Sequence, residues 1–166
     1  MTQALEYEDR HFDPVQGDWP NLARPDGEPH FMVGWCAGAA GHGLARLGLL
    51  GGTADGQALR DQIGRAVAAA RRDPGPGPEN LCCGTPGRLW LLAEAGRLLD
   101  RPDLIADARQ AAARLIASRR ERGHWHLRPV SEREILPTLM GGIAGIGLSL
   151  LEVRQPGGVS QVVTLV

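Results

Sequence analysis

Three glycine pairs with the spacing G-x-x-G constrain the fold of this chain more than any other sequence feature. Each pair lies in a short segment that leads into an apolar run, and the three segments can be superposed. The pairs are Gly38/Gly41, Gly84/Gly87 and Gly142/Gly145. Glycine lets backbones approach closely and adopt positive φ, so one such pair would indicate only a helix-starting turn. Three pairs in one register indicate a repeat whose period can hold a pair of helices.

The stretches between the glycine segments predict helices of a second kind. Residues 54–72 and 103–122 place apolar side chains at three-to-four spacing and arginines elsewhere, which is typical of amphipathic helices. We therefore expect an all-α fold in which the apolar helices after the glycines face inward and the arginine-bearing helices face outward. Residues 124–130 are expected to be extended and to form at most one short β-hairpin.

Composition and charge exclude several classes of partner. The 166 residues carry a formal net charge of −1, so no basic field predicts nucleic-acid binding. No apolar stretch approaches the length of a membrane span, and the polar, acidic first ten residues are unlike a signal peptide. An odd number of cysteines without an export signal argues against a disulfide framework. We therefore expect a cytoplasmic protein with reduced cysteines.

The three cysteines fall at two equivalent positions of the repeat. Cys36 and Cys82 match in register, and Cys83 follows directly. If the repeats stand side by side, three thiolates surround one point, which suits zinc with one open coordination position. The alternative is that they are small buried apolar residues, the usual state of a cysteine without a disulfide. The shared register favours a Zn²⁺ site.

Several segments together resemble a known family. The chain resembles the lanthionine synthetase C-like family, and most closely the C-terminal part of the cyclase domain of class II (LanM-type) lanthipeptide synthetases. Five segments carry the resemblance: 7–22 with Phe12-Asp13-Pro14 and Asp18-Trp19-Pro20, 31–38 with Trp35-Cys36-Ala37-Gly38, 43–47, 81–98 with Leu81-Cys82-Cys83-Gly84, and 139–151.

The resemblance implies an incomplete α/α toroid, in which inner helices are ringed by outer ones. Residues 1–166 would be the C-terminal portion of a cyclase domain, with a lead-in helix and loop over 1–34 and three glycine-turn repeats over 35–166. The family's zinc ligands fall on Cys36, Cys82 and Cys83, where Cys83 replaces the usual histidine. An open part of a ring exposes apolar helix faces, so we expect the isolated chain to self-associate.

The reaction implied by the resemblance is thioether ring formation in a dehydrated precursor peptide. A zinc-activated cysteine thiolate of the peptide adds to dehydroalanine or dehydrobutyrine and gives lanthionine or methyllanthionine. The family's acid/base histidine, in an H-G segment upstream, has no counterpart here, since His11 and His30 lack the following glycine. The missing N-terminal part of the same synthetase is therefore an expected partner, as for a truncated or split enzyme or a mis-assigned start.

Two alternatives to an active enzyme remain open on the sequence. One is a non-catalytic zinc-binding or peptide-binding remnant, and the other is a metal-free helical scaffold. A glycosidase on a similar ring is disfavoured, because no pair of carboxylates stands out in the glycine turns. His42 stands where the family usually has an apolar residue. It is either a catalytic residue that assists proton transfer or, as is commoner for a lone histidine, a side chain satisfied by its neighbours.

Overall fold

The computed structural model describes residues 2–23, 27–51, 56–72, 77–127 and 136–159. Within these ranges the chain is all-helical, and its extended pairing is limited to two isolated bridges, Asp13 with Asp18 and Asn21 with His30. The six helices are α1 Thr2–Arg10, α2 Ala39–Leu49, α3 Gly56–Arg71, α4 Thr85–Leu98, α5 Pro102–Arg122 and α6 Ile143–Arg154.

The glycine pairs begin the three apolar helices, as predicted. Gly38, Gly84 and Gly142 are the N-cap residues of α2, α4 and α6. The second glycine of each pair is required by a close approach of the backbone to itself. A Cβ atom at this position would collide with a carbonyl oxygen six residues earlier in all three repeats: Gly41 with Trp35, Gly87 with Leu81, and Gly145 with Leu139.

The inner and outer helices differ in burial as the sequence predicts. Helix α4 packs against α2, α3, α5 and α6, and eleven of its residues are buried. Because it has neighbours on all sides, α4 carries apolar residues on every face. Helices α3 and α5 bury one stripe each, represented by Ile63 and Ala108. Helices α2, α4 and α6 lie side by side, with α3 and α5 outside them. This all-helical arrangement is consistent with part of an α/α toroid.

The ends of the outer helices follow local rules. Pro102 occupies the first turn of α5, where its missing N–H costs nothing, and Gly123 ends that helix with a φ of 82°, a conformation that favours glycine. The predicted extended segment is only partly described. Residues 124–127 form no strand, and residues 128–130 of the proposed β-hairpin lie outside the described residues.

No helix of the described part of the chain is both long enough and apolar enough to cross a bilayer.

Candidate metal centre

Backbone hydrogen bonds between the glycine segments bring the equivalent positions of the three repeats together. The N–H groups of Trp35 and Cys36 both donate to the carbonyl oxygen of Cys82, at 2.8 and 3.2 Å. The N–H of Cys82 in turn donates to the carbonyl of Met140 at 2.9 Å. The segments therefore lie side by side at one end of the inner helices. The sequence predicted that the cysteines would be neighbours in this arrangement.

The three cysteine side chains form one compact cluster. Their Sγ atoms all lie within 4.8 Å of one another. The Sγ of Cys83 is 3.3 Å from that of Cys82 and 3.5 Å from that of Cys36. None forms a disulfide, and Cys36 is exposed while the other two are half-buried. Among the residues that the structure describes, this is the one cluster of three or more side chains with the reach to bind a metal ion.

A short loop before α4 fixes the Cys82–Cys83 pair. The side-chain oxygen of buried Asn80 accepts a hydrogen bond from the Cys83 N–H at 2.9 Å, and the backbone carbonyl of Asn80 accepts one from the Gly84 N–H at 3.0 Å. The preceding Glu79 is also buried and binds Arg122 at 2.5 Å. These contacts fix the loop against the end of α5, so the loop backbone positions the Cys82 and Cys83 thiols.

The electrostatics of the cluster favour neutral thiols as long as no cation is bound. Burial raises the pKa of the Cys82 thiol, and hydrogen bonding with the Cys36 and Cys83 thiols raises it further. A coordinated cation reverses this effect, because a metal-bound thiol is deprotonated outright. The spacing also fits zinc, since sulfur ligands about 2.3 Å from a tetrahedral ion are about 3.8 Å apart. The three thiols thus form a donor set that can hold a metal ion.

Asp18 joins the segment that carries Cys36 to the start of α2. This carboxylate is 1% exposed and accepts the N–H groups of Trp19, Val33 and Ala39 at 2.8, 3.0 and 2.7 Å. Ala39 is the first residue of α2, so Asp18 performs from the lead-in loop the capping role that Gly38 has no side chain to fill. The residues next to Asp18 in the sequence did not indicate that it would bind Val33 and Ala39, which lie 15 and 21 positions later.

His42 lies beside the cysteine cluster. It lines a cleft of about 290 Å³ together with Cys36, Trp35, Glu8 and Arg46. Burial and the charge of Arg46 lower the pKa of His42, and Glu8 and Asp18 partly offset this effect. The structure therefore brings His42 to the same cleft as one predicted ligand, while its part in proton transfer stays a prediction.

Two functional candidates, Glu8 and Arg46, were not predicted from the sequence. Glu8 of α1 binds Arg46 of α2 at 2.6 Å, and both contact His42. Arg46 is 1% exposed and is the one arginine among the mainly apolar residues of helix α2. A buried charge requires a partner, so this arginine was the signal that the sequence offered.

The fold and the thiol cluster define a helical protein in which three neighbouring thiols, at the end of the inner helices, could hold a metal ion. The family model of the lanthionine synthetase C-like protein matches residues 1–163. The chain therefore belongs to the lanthionine synthetase C-like family, as the sequence predicted. No curated protein and no solved structure matches the chain.

Proposed function

We propose that this chain is the zinc-binding part of a lanthipeptide cyclase. Its substrate would be a dehydrated precursor peptide, whose cysteine thiol adds to a dehydroalanine or dehydrobutyrine residue and closes a thioether ring. One observation carries the proposal: in a chain of this family, the three cysteines lie within 4.8 Å of one another. Cys36, Cys82 and Cys83 would hold Zn²⁺, which lowers the pKa of a coordinated thiol and so supplies nucleophile at neutral pH.

The exposure of the cluster supports a substrate-binding site rather than a closed structural one. Cys36 is exposed and borders the cleft that His42 also lines, so a peptide can reach the sulfur atoms. Three protein ligands leave the fourth tetrahedral position for a substrate sulfur. A structural zinc site would more often have four protein ligands, and the described residues place three at this point.

The addition needs a proton carrier, and we assign this role to His42. The thiol S–H bond breaks and its proton passes to the imidazole. The sulfur forms a bond to the β-carbon of the dehydro residue, and the electrons of the C=C bond move to the α-carbon and carbonyl as an enolate. The imidazolium then returns the proton to the α-carbon, so atoms and charge balance. A histidine that is neutral near pH 7 suits the first step.

The proposal extends to the context of the chain. We infer that residues 1–166 are the C-terminal portion of a cyclase domain of the class II (LanM) type, with a lead-in helix and loop over 1–34 and repeats over 35–166. Its remaining partner would then be the N-terminal part of the same synthetase. Because three reduced thiols are required, the cytoplasm is the compartment that suits this chemistry.

Cyclisation of a model peptide tests the proposal. The zinc-loaded chain is incubated with a peptide that carries one cysteine and one dehydroalanine, and the remaining free thiol is trapped with an alkylating reagent and measured by mass. We expect thiol loss well above the protein-free rate, and loss only at the background rate with Cys82→Ala. His126→Gln, a potential ligand outside the cluster, serves as the control that keeps wild-type activity.

The outcomes separate the proposed enzyme from its main alternative. Zinc and peptide binding without acceleration over the protein-free rate would show a non-catalytic remnant. A rate unaffected by Cys82→Ala would contradict a role for the cluster. A peptide in which alanine replaces dehydroalanine must retain its thiol, which shows that the measured loss is ring closure and not oxidation.

A further inference from the structure

Three charged or titratable side chains from two helices meet beside the cysteine cluster. The carboxylate oxygen Oε2 of Glu8, on α1, is 2.6 Å from Nη1 of Arg46 and 3.3 Å from Nδ1 of His42. The same Nη1 atom of Arg46 is 3.2 Å from His42 Nδ1. One imidazole nitrogen therefore faces an obligatory donor and an obligatory acceptor at nearly the same distance.

These two contacts of Nδ1 belong to different protonation states. A guanidinium only donates hydrogen bonds, so Arg46 can bind Nδ1 only when that nitrogen carries no proton. An ionised carboxylate only accepts, so Glu8 can bind Nδ1 only when that nitrogen is protonated. Gaining a proton at Nδ1 exchanges Arg46 for Glu8 as its hydrogen-bond partner, without any movement of the ring.

The surroundings hold the ring and the guanidinium in place. The indole of Trp19 stacks on the His42 ring with centroids 4.8 Å apart and an interplanar angle of 17°. The Arg46 side chain is 1% exposed, and its Nε donates to Gln62 of α3 at 2.9 Å. Glu8 is the more exposed member, with 39% of its side chain accessible to solvent. Among the residues that the structure describes, the remaining charged group that acts on the pKa of His42 is Asp18, in the loop between α1 and α2.

We propose that Glu8 is a positioning residue which stabilises the His42 imidazolium, so that the two side chains work as one proton-carrying pair beside the metal site. The inference rests on the proposed function, because the proton that this pair carries is the one released by the peptide thiol and returned to the α-carbon of the ring. Arg46 keeps the imidazole neutral before the reaction, and Glu8 favours the charged form that follows. The roles resemble those of base and orienting carboxylate in other acid–base sites.

Titration of His42 by NMR tests the pairing directly. The ring signals of the full chain are followed with pH in the wild type and in Glu8→Gln, and the signal absent from His42→Gln assigns the residue. Glutamine keeps the size and an acceptor oxygen for Arg46 but removes the charge. We expect Glu8→Gln to lower the pKa of His42 by about one unit. Asp9→Asn is the matched control, since Asp9 pairs with Arg65 at 3.0 Å on the same helix.

The pH dependence of kcat distinguishes a role of Glu8 in proton transfer from a purely structural role. Losing Glu8 makes His42 a weaker base, so the acid limb of the kcat profile moves to lower pH in step with the NMR value. The plateau of kcat falls about tenfold or more while KM stays unchanged. Glu8→Asp, which restores the charge, recovers part of both effects.

The outcomes distinguish this inference from the proposed function. Equal His42 pKa values in Glu8→Gln and Asp9→Asn would overturn the pairing, even in a chain that cyclises peptides. An unchanged kcat profile in Glu8→Gln would overturn the role of the pair in the reaction. If the wild type binds zinc but fails to cyclise while the NMR shift is present, it is the proposed function that is wrong.

Discussion

The cysteine cluster and the Glu8–His42–Arg46 cluster lie side by side but are built in different ways. Repeat backbone builds the first, because the N–H of Trp35 and that of Cys82 each bind the next glycine segment. Side chains from α1 and α2 build the second, through contacts that no repeat pattern creates. Positions that recur in each repeat can be aligned in the sequence, so the cysteine cluster could be predicted. The second cluster depends on α1, which is not part of the repeat, so its contacts could not be predicted.

The largest expected effect comes from the backbone that builds the first cluster. At Gly87, a Cβ atom would lie 2.6 Å from the carbonyl oxygen of Leu81, and backbone cannot give way there. We expect Gly87→Ala to reduce the free energy of unfolding by about 3 kcal/mol or more and to weaken metal binding, because Leu81 adjoins Cys82. Chemical denaturation measures the first effect and metal titration the second.

Gly64 of α3 supplies the control for this substitution. A Cβ atom there meets nothing within 4 Å, so Gly64→Ala should stabilise the chain by about 0.5–1 kcal/mol through helix propensity. Equal effects of the two alanines would show that the close approach at Gly87 does not hold the cysteine loop.

A smaller effect is expected where a side chain supports the backbone. Asp18→Asn keeps the shape of the buried residue but replaces one acceptor oxygen of three N–H bonds with an amide donor. We expect a loss of about 2–3 kcal/mol in the free energy of unfolding, measured by denaturation. Asp13→Asn alters a half-buried loop aspartate whose carboxylate accepts the N–H groups of Val15 and Gln16 and should cost less than about 1 kcal/mol. A milder effect at position 18 than at 13 would contradict the assigned capping role.

The smallest effect concerns the second cluster and its dependence on pH. Since folding lowers the pKa of His42 from 6.5, the unfolded chain takes up the proton more readily. The stability that neutral His42 supports is complete above about pH 6.5 and is lost as pH falls towards the folded pKa. The loss approaches at most about 1.4 kcal/mol per pH unit. Denaturation at several pH values should show a shallower decline below pH 6.5 in His42→Gln, and parallel curves would contradict the burial of a neutral imidazole.

The predictable part of the fold followed from local rules and periodicity. The glycine pairs predicted where α2, α4 and α6 begin, because a close approach of backbone to backbone requires glycine. The register of Cys36 with Cys82 predicted one thiol cluster, and the structure confirms that the three sulfur atoms are neighbours. The helix predicted over 54–72 is observed over Gly56–Arg71.

The contacts of the lead-in segment were not predictable from the sequence. The arginine at position 46 lies in a mainly apolar run, which indicated a buried charge. Its partner Glu8 lies thirty-eight positions earlier, on a short helix whose packing is not indicated by any periodicity of the sequence. Asp18 likewise reaches Val33 and Ala39 across a loop. Such pairs depend on tertiary packing, which a single sequence records only as isolated polar residues. The proposed role of His42 depends on these contacts and stays a prediction.

Zinc content and the ligand shell, measured together on the purified chain, decide whether the three thiols bind zinc. Elemental analysis should show about one zinc per chain. X-ray absorption at the zinc edge should show three protein sulfur ligands at about 2.3 Å. Cys82→Ala should lower zinc affinity at least about a hundredfold, while His126→Gln should leave metal content and shell unchanged. A chain that binds no zinc, or binds it through a nitrogen and oxygen shell that survives Cys82→Ala, would contradict the account.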